Sequence, residues 1–157
     1  MKNILKIGVI LLVTSLFVTG CGNKKSLTAE EFKNKMEKEK YIITDATNQF
    51  KDIEEAKYLK KVYIASDKDY KYQVEFYEFD TKSNATNFLE HNKNLFENEK
   101  EGASSYTEVN LFNYNRYTLN TGNKYFVLSR IDNTVVYVNN DSQYKEQINA
   151  LLKIVNY

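Results

Sequence analysis

His91 is the only imidazole in the chain and Cys21 the only thiol, so the reactive side chains that could do chemistry are few. A zinc site needing two histidines is excluded. His91 could act as a general base only beside an acid and a nucleophile supplied by the fold. It stands next to Glu90, off the apolar stripe of a predicted helix, where a solvated surface position is expected. Asp67 and Asp69 form an Asp-x-Asp pair able to hold calcium, yet the glycine and glutamate of an EF-hand loop do not follow, and a hairpin turn is the expected reading. Glu97, Glu99 and Glu101, interleaved with Asn98 and Lys100, read as a solvated loop. The chain has no Gly-x-Ser-x-Gly elbow, no His-Glu-x-x-His and no glycine-rich phosphate loop. No catalytic residue, metal site or cofactor is therefore expected, and an enzyme would have to be a hydrolase working with carboxylates alone.

Recognition is the chemistry the tyrosines could carry, because each offers a large, stiff contact area with a hydroxyl at its tip. Among the thirteen tyrosines, Tyr63, Tyr77, Tyr114 and Tyr117 fall on predicted strands or turns, often opposite the more apolar set, and are the candidate ligand-binding residues. Tyrosine is also a favoured strand residue. An abundance of Lys, Asn, Tyr and Ile, with no Pro or Trp and with arginine only at positions 116 and 130, points to a compositional bias that would itself raise the tyrosine count.

Three helices and a set of strands must position these groups. Thr28 as N-cap with Glu31 three residues on forms a capping box, flanked by Leu27 and Phe32 at the staple positions, and starts a helix running to about Glu39. Ala85, Phe88, Leu89, Asn92, Leu95 and Phe96 repeat at helical spacing after a start near Asp80 or Thr81. A third helix follows Asn140, with Gln143 available for its cap and Tyr144, Ile148, Leu151, Leu152 and Val155 on its apolar stripe. Strands are predicted over 41–46, 61–65, 70–79, 106–112, 116–119, 124–130 and 134–138, joined by turns at 66–69, 113–115, 120–123 and 132–133. Residues 125–128 and 135–138 are apolar on both alternating sets, so they are the expected central strands. Residues 71–79 change the phase of their alternation once, which requires a bulge or a change of buried face. The expected fold is α+β, an antiparallel sheet of about five to seven strands packed with three helices.

The first residues carry a different signal. Lys2 and Lys6 precede an apolar run of twelve residues from Ile7 to Val18, shorter than the roughly 20 that a membrane-spanning helix needs, and small residues follow. That is the order of an export signal. Val18-Thr19-Gly20-Cys21 resembles the lipobox of bacterial lipoproteins, an aliphatic residue and two small ones before the cysteine. The resemblance, confined to positions 1 to 21, is to a small lipoprotein of uncharacterised function, and the compositional bias suits a low-GC, Gram-positive source. It implies that residues 1–20 are removed as a signal peptide, that Cys21 receives a diacylglyceryl thioether, and that the chain is held on the outer side of the cell membrane. Residues 21–26 would then be lipidated cysteine and tether, and residues 27–157 one domain.

Loss of residues 1–20 takes two lysines and no acid, leaving a formal charge of −1. Nothing in that balance suits nucleic acid, and lipidation would consume the only cysteine, so the fold must rest on packing. The functional expectation is a non-catalytic module that binds a protein or cell-envelope ligand close to the membrane. A carboxylate-based exported hydrolase, or a structural or inhibitory lipoprotein, is the alternative.

Overall fold

A computed structural model describes residues 23–50, 58–100 and 102–157. The expected signal peptide over residues 1–20, the expected lipidation site Cys21, and Glu101 lie outside the described residues. In chain order the elements are α1 (Ala29–Lys38), β1 (Ile42–Asp45), a short 3-10 turn (Thr47–Phe50), β2 (Leu59–Ser66), β3 (Gln73–Phe79), α2 (Lys82–Asn98), β4 (Ser105–Asn110), β5 (Tyr114–Asn120), β6 (Lys124–Ile131), β7 (Thr134–Asp141) and α3 (Lys145–Val155). All seven strands form one antiparallel sheet in the order β1-β2-β3-β7-β6-β5-β4. The α+β architecture is as expected, and β7 and β6 lie inside the sheet as their two-sided apolar runs require.

The sheet is covered on both faces, which makes the fold three layers deep. On one face α1 and α3 bury Phe32, Met36, Ile148, Leu151 and Leu152 against Val74, Phe76, Val127, Val136 and Val138. On the other face α2 lays Ala85, Phe88, Leu89 and Phe96 over Tyr77, Phe79, Val135, Phe126 and Leu128. Two-sided coverage explains β3. Its register against β2 is continuous from Lys61 onward and the sheet's irregularity lies in β2, between Leu59 and Lys61. The buried set simply moves from Val74 and Phe76 on the α1/α3 face to Tyr77 and Phe79 on the α2 face.

Local signals account for two helix starts. Thr28 Oγ1 accepts from Glu31 N (3.2 Å) while Glu31 Oε2 accepts from Thr28 N (2.8 Å), the reciprocal capping box. Glu78 of β3 adds a long-range partner, its Oε2 accepting from Ala29 N at 2.8 Å, so a carboxylate faces the positive end of α1. Thr81 caps α2 through Asn84 N (3.2 Å). The cap expected at Gln143 is absent. A 3-10 turn, Ser142–Tyr144, leads into α3 without a side-chain cap, and Ser142 N donates to Asn123 O (2.9 Å) to hold that turn on the β5–β6 hairpin.

Two other expectations are revised. Leu95, placed on the α2 stripe by spacing, is exposed, while its neighbour Phe96 takes the buried position against Phe126 and Tyr137. The β4–β5 turn is Leu111–Asn113, with Leu111 N donating to Tyr114 O at 2.7 Å, so Tyr114 and Asn115 belong to β5. Register decides this, since Asn110 pairs with Asn115 and Tyr114 with Ile131.

Element directions give the molecule two distinct ends. The starts of α1 and α2, the end of α3 and the β4–β5 and β6–β7 turns meet at one end; the β2–β3 and β5–β6 hairpins, the end of α1 and the start of α3 meet at the other. The first will be called the tether end, because Lys24 is fixed there. Asn113 Nδ2 donates to Lys24 O (2.6 Å), and Lys24 Nζ donates to Asn156 O (3.2 Å) while lying 4.0 Å from the centre of the Tyr114 ring. The second is the distal end.

Candidate functional site

The four tyrosines singled out by sequence are core residues. Tyr63, Tyr77, Tyr114 and Tyr117 are 5, 3, 7 and 1% exposed, so none of them offers the ligand-binding surface expected of them. Nor does the fold bring the four together. Tyr63 and Tyr114 pack on the α1/α3 face, Tyr77 and Tyr117 on the α2 face. Their environments are structural: Tyr63 Oη donates to Glu30 Oε1 (2.7 Å), Tyr77 donates to Glu75, and Tyr117 stacks beneath Tyr106 with ring centres 6.2 Å apart. Two-sided coverage buries both alternating sets, and the sequence alternation could not announce it.

Different tyrosines line the distal end. Tyr41, just after α1, and Tyr72, at the start of β3, touch through their hydroxyls (3.3 Å), and Tyr72 lies 5.3 Å from the ring of Tyr144 at the entry to α3. All three are half-buried, each with one side on the core and the other open. Tyr41 has its phenol pushed well above the ordinary value of 10.0, through burial first and the Tyr72 hydroxyl second, so it is a neutral hydrogen-bonding group at any physiological pH. A cavity of about 270 Å³ opens beside Tyr41 and Tyr72, bounded by Glu39, Lys40, Asp67 and Lys68. Asp67 itself is taken up by the hairpin turn: its carboxylate accepts from the main-chain N–H of Lys71, of Tyr72 (3.0 Å) and of Asp69 (3.3 Å). Those bonds give the Asp-x-Asp pair its role, and among the described residues no cluster of three or more acids, histidines or cysteines is placed to hold a metal.

Past Tyr144 the larger concavity, of about 370 Å³, begins at Lys145 and runs along β5 toward Arg116. It forms where β4 and β5 run out beyond the cover of α3. Ser105 and Thr107 of β4 face it together with Arg116, Thr118 and Asn120 of β5; Tyr125 of β6 and Lys145 of α3 close its inner wall. Cross-strand pairing of Thr107 with Thr118 and of Ser105 with Asn120 puts these short polar side chains in two rows. Tyr125 Oη is held by Asn149 Oδ1 (2.8 Å), and Lys145 Nζ sits 5.6 Å from the Tyr125 ring centre. Arg116 is fixed through Nη1 to the main-chain oxygen of Tyr157 (2.8 Å). Two cations, several hydroxyls and no carboxylate line this pocket. Its volume is within the roughly 300–1,000 Å³ range of small-ligand sites.

The strand on its outer side is itself available. β4 is an edge strand; all six of its residues are exposed, and among the described residues no other strand lies along its outer side. On its α2 face Glu108 accepts from Lys93 Nζ (2.7 Å), one charge pair placed on an otherwise open edge.

No protein-family model, curated protein or solved structure is significantly similar to this chain. The site must be read from its own atoms.

Groups suited to hydrolysis are not gathered at either concavity. His91 is exposed on α2, as expected, on the sheet face opposite the pocket. Among the described residues Glu75 is the one carboxylate whose pKa is raised, by burial in the sheet on the α2 face, while Tyr77 and Gln73 Nε2 (3.0 Å) donate to it and partly offset that cost. Register places Glu75 opposite Tyr137, across the sheet from the pocket. Arg130 is buried too, donating to Asn115 Oδ1 through Nε (2.8 Å) and Nη2 and to Asp132 O (2.9 Å) through Nη1; burial draws its pKa down. It ties the ends of β5 and β6 together at the tether end. Sequence reading missed Arg116, Lys145, Tyr125, Thr107 and Thr118, because nothing local links positions 107, 116, 125 and 145 until the strands pair.

Proposed function

We propose that this protein is a lipid-anchored, extracytoplasmic binding module that takes an extended, acidic segment of another exported protein along β4 and into the pocket beside it. The observation that carries the reading is the exposed edge of β4 lying against a pocket that holds Arg116 and Lys145 and no carboxylate. An added strand would satisfy the outward backbone groups of Ser105–Asn110, and alternate side chains would enter the pocket. The two cations, Arg116 and Lys145, favour a carboxylate there, while the row Tyr41–Tyr72–Tyr144 extends the contact surface at the Lys145 end. Anchoring rests on the lipobox-like Val18-Thr19-Gly20-Cys21, through which a lipid on Cys21 would hold the module outside the cell membrane. Among the described residues no helix is long and apolar enough to cross a membrane.

Photo-cross-linking in living cells tests the binding reading. A benzophenone side chain at Thr107 should yield a discrete adduct that a protease collapses and a glycan-cleaving enzyme leaves intact. Lys145→Glu should abolish the adduct, and the same probe at His91 should give none. Equal adducts from Thr107 and His91 would refute the site, and an adduct collapsed only by the glycan-cleaving enzyme would replace the protein ligand by a cell-wall one.

A further inference from the structure

We infer that the Leu111–Phe112 tip is a membrane-docking element that enters the lipid surface beside the anchor and holds the distal tyrosine row away from the membrane. The inference rests on the lipid-anchor reading and goes beyond it, because a flexible tether alone would leave the domain free to tumble.

Phe112 is 83% exposed, the largest fraction of any big apolar side chain among the described residues, and its neighbour Leu111 is 61% exposed. Two consecutive apolar residues at the tip of a tight turn are unusual, since Gly, Asn, Asp and Ser dominate such positions for conformational reasons. Neither side chain sets the turn. Its geometry comes from Asn113, which donates to Lys24 O (2.6 Å) and Asp132 Oδ2 (3.3 Å), and from the main-chain bond of Asp132 N to Asn113 O (2.9 Å). Arg130, buried and bonded to Asn115 and Asp132, braces the same corner from within. The turn is thus built rigidly on polar contacts, and its two apolar side chains are left pointing outward.

What covers them follows from where the chain comes from. Lys24 is bound to this very turn, and three residue steps from Lys24 reach back at most about 11 Å to Cys21. A lipid on Cys21 therefore holds the Leu111–Phe112 tip within reach of the bilayer surface. Cations frame the tip. Lys82 Nζ donates to Phe112 O (2.8 Å) and lies 4.4 Å from the Phe112 ring centre, and Lys25 is exposed nearby on the tether. Long lysines can keep their charge among headgroups while an aromatic ring sinks below them. Asp80 and Asp132 also lie at this end, Asp80 accepting from Asn84 Nδ2 (2.6 Å) and Asp132 from Asn113, so the apolar tip rather than net charge provides the insertion. With this end on the lipid, the β2–β3 hairpin and the Tyr41–Tyr72–Tyr144 row lie at the end away from the membrane.

The absence of tryptophan from the sequence permits a clean test. Full-length protein carrying F112W, and a second version carrying Y70W at the exposed distal hairpin, would be reconstituted in vesicles of phosphatidylglycerol and phosphatidylethanolamine after intact-mass measurement of Cys21. The expected result is a lipidated Cys21, F112W emission shifted to shorter wavelength and quenched by nitroxide-labelled lipid, and Y70W unshifted and unquenched. Lipidated protein in which F112W stays unshifted overturns the docking inference and leaves the anchor reading intact. Quenching of both tryptophans overturns the orientation. A shift seen only in native membranes, without lipid quenching, would mean that a protein covers the tip and would also overturn it. Unlipidated Cys21 removes the anchor reading and this inference with it.

Discussion

Replacing Leu152 by Ala should cost the fold about 2 to 5 kcal/mol, because the deleted atoms come from a fully enclosed position whose surroundings cannot collapse. Leu152 is 1% exposed in the last turns of α3, inside the cluster that includes Phe32, Phe76, Val136 and Tyr157. Three carbon atoms are lost, at about 0.8 kcal/mol each for transfer to water, and the cavity left between α3, α1 and the sheet adds the remainder. The built-in control is Ile154, two residues on and 38% exposed. Ile154→Ala should cost under about 1 kcal/mol, as a partly solvated chain on the outer side of the same helix. Urea unfolding followed by circular dichroism measures both, with m-values compared to check that the transition stays two-state. Equal losses for the two variants, or a loss under about 1 kcal/mol for Leu152→Ala, would refute the packing of α3 on the sheet. The proposed binding depends on that packing, since α3 brings Lys145 to the pocket wall.

Other predictions follow from individual groups. Glu75 is raised above its ordinary value of 4.5 by burial, so below that value it is neutral in both folded and unfolded chains and its full contribution is present. As pH rises toward the folded pKa the unfolded chain loses its proton first and stability falls; in Glu75→Gln that part of the fall should vanish, and denaturation curves at about pH 4 and about pH 8 that change equally in both proteins would contradict this. His91→Ala should leave stability within about 0.5 kcal/mol and leave complementation intact, and loss of function with an unchanged melting temperature would make an enzyme the leading reading. At the pocket, Lys145→Glu should remove the Thr107 cross-link without lowering the melting temperature; an adduct that persists would separate the cation from recognition.

Local signals made much of the fold legible. The Thr28/Glu31 capping box, the α3 stripe and the doubly apolar runs of β6 and β7 each depend on neighbours in sequence, and each stands where its pattern places it. Features that depend on pairing between distant segments were less visible. Leu111 and Phe112 read as the end of a strand because apolar residues favour strands, and only the β4–β5 register turns them into a tip. The four candidate tyrosines read as a possible surface because alternation cannot say whether one face or two are covered. The tyrosines that form the row at the distal end, Tyr41, Tyr72 and Tyr144, come from three separated segments. The pocket likewise draws its two cations from β5 and α3, which no spacing rule connects.

Attachment through Cys21 can be read by intact-mass spectrometry of membrane-extracted protein beside its Cys21→Ala variant. The native chain should begin at Cys21 and carry a diacylglyceryl group, while Cys21→Ala should take no lipid label and appear as soluble protein or uncleaved precursor. A Cys21→Ala protein that loses residues 1–20 and stays on the membrane as firmly as the native one would contradict the claim.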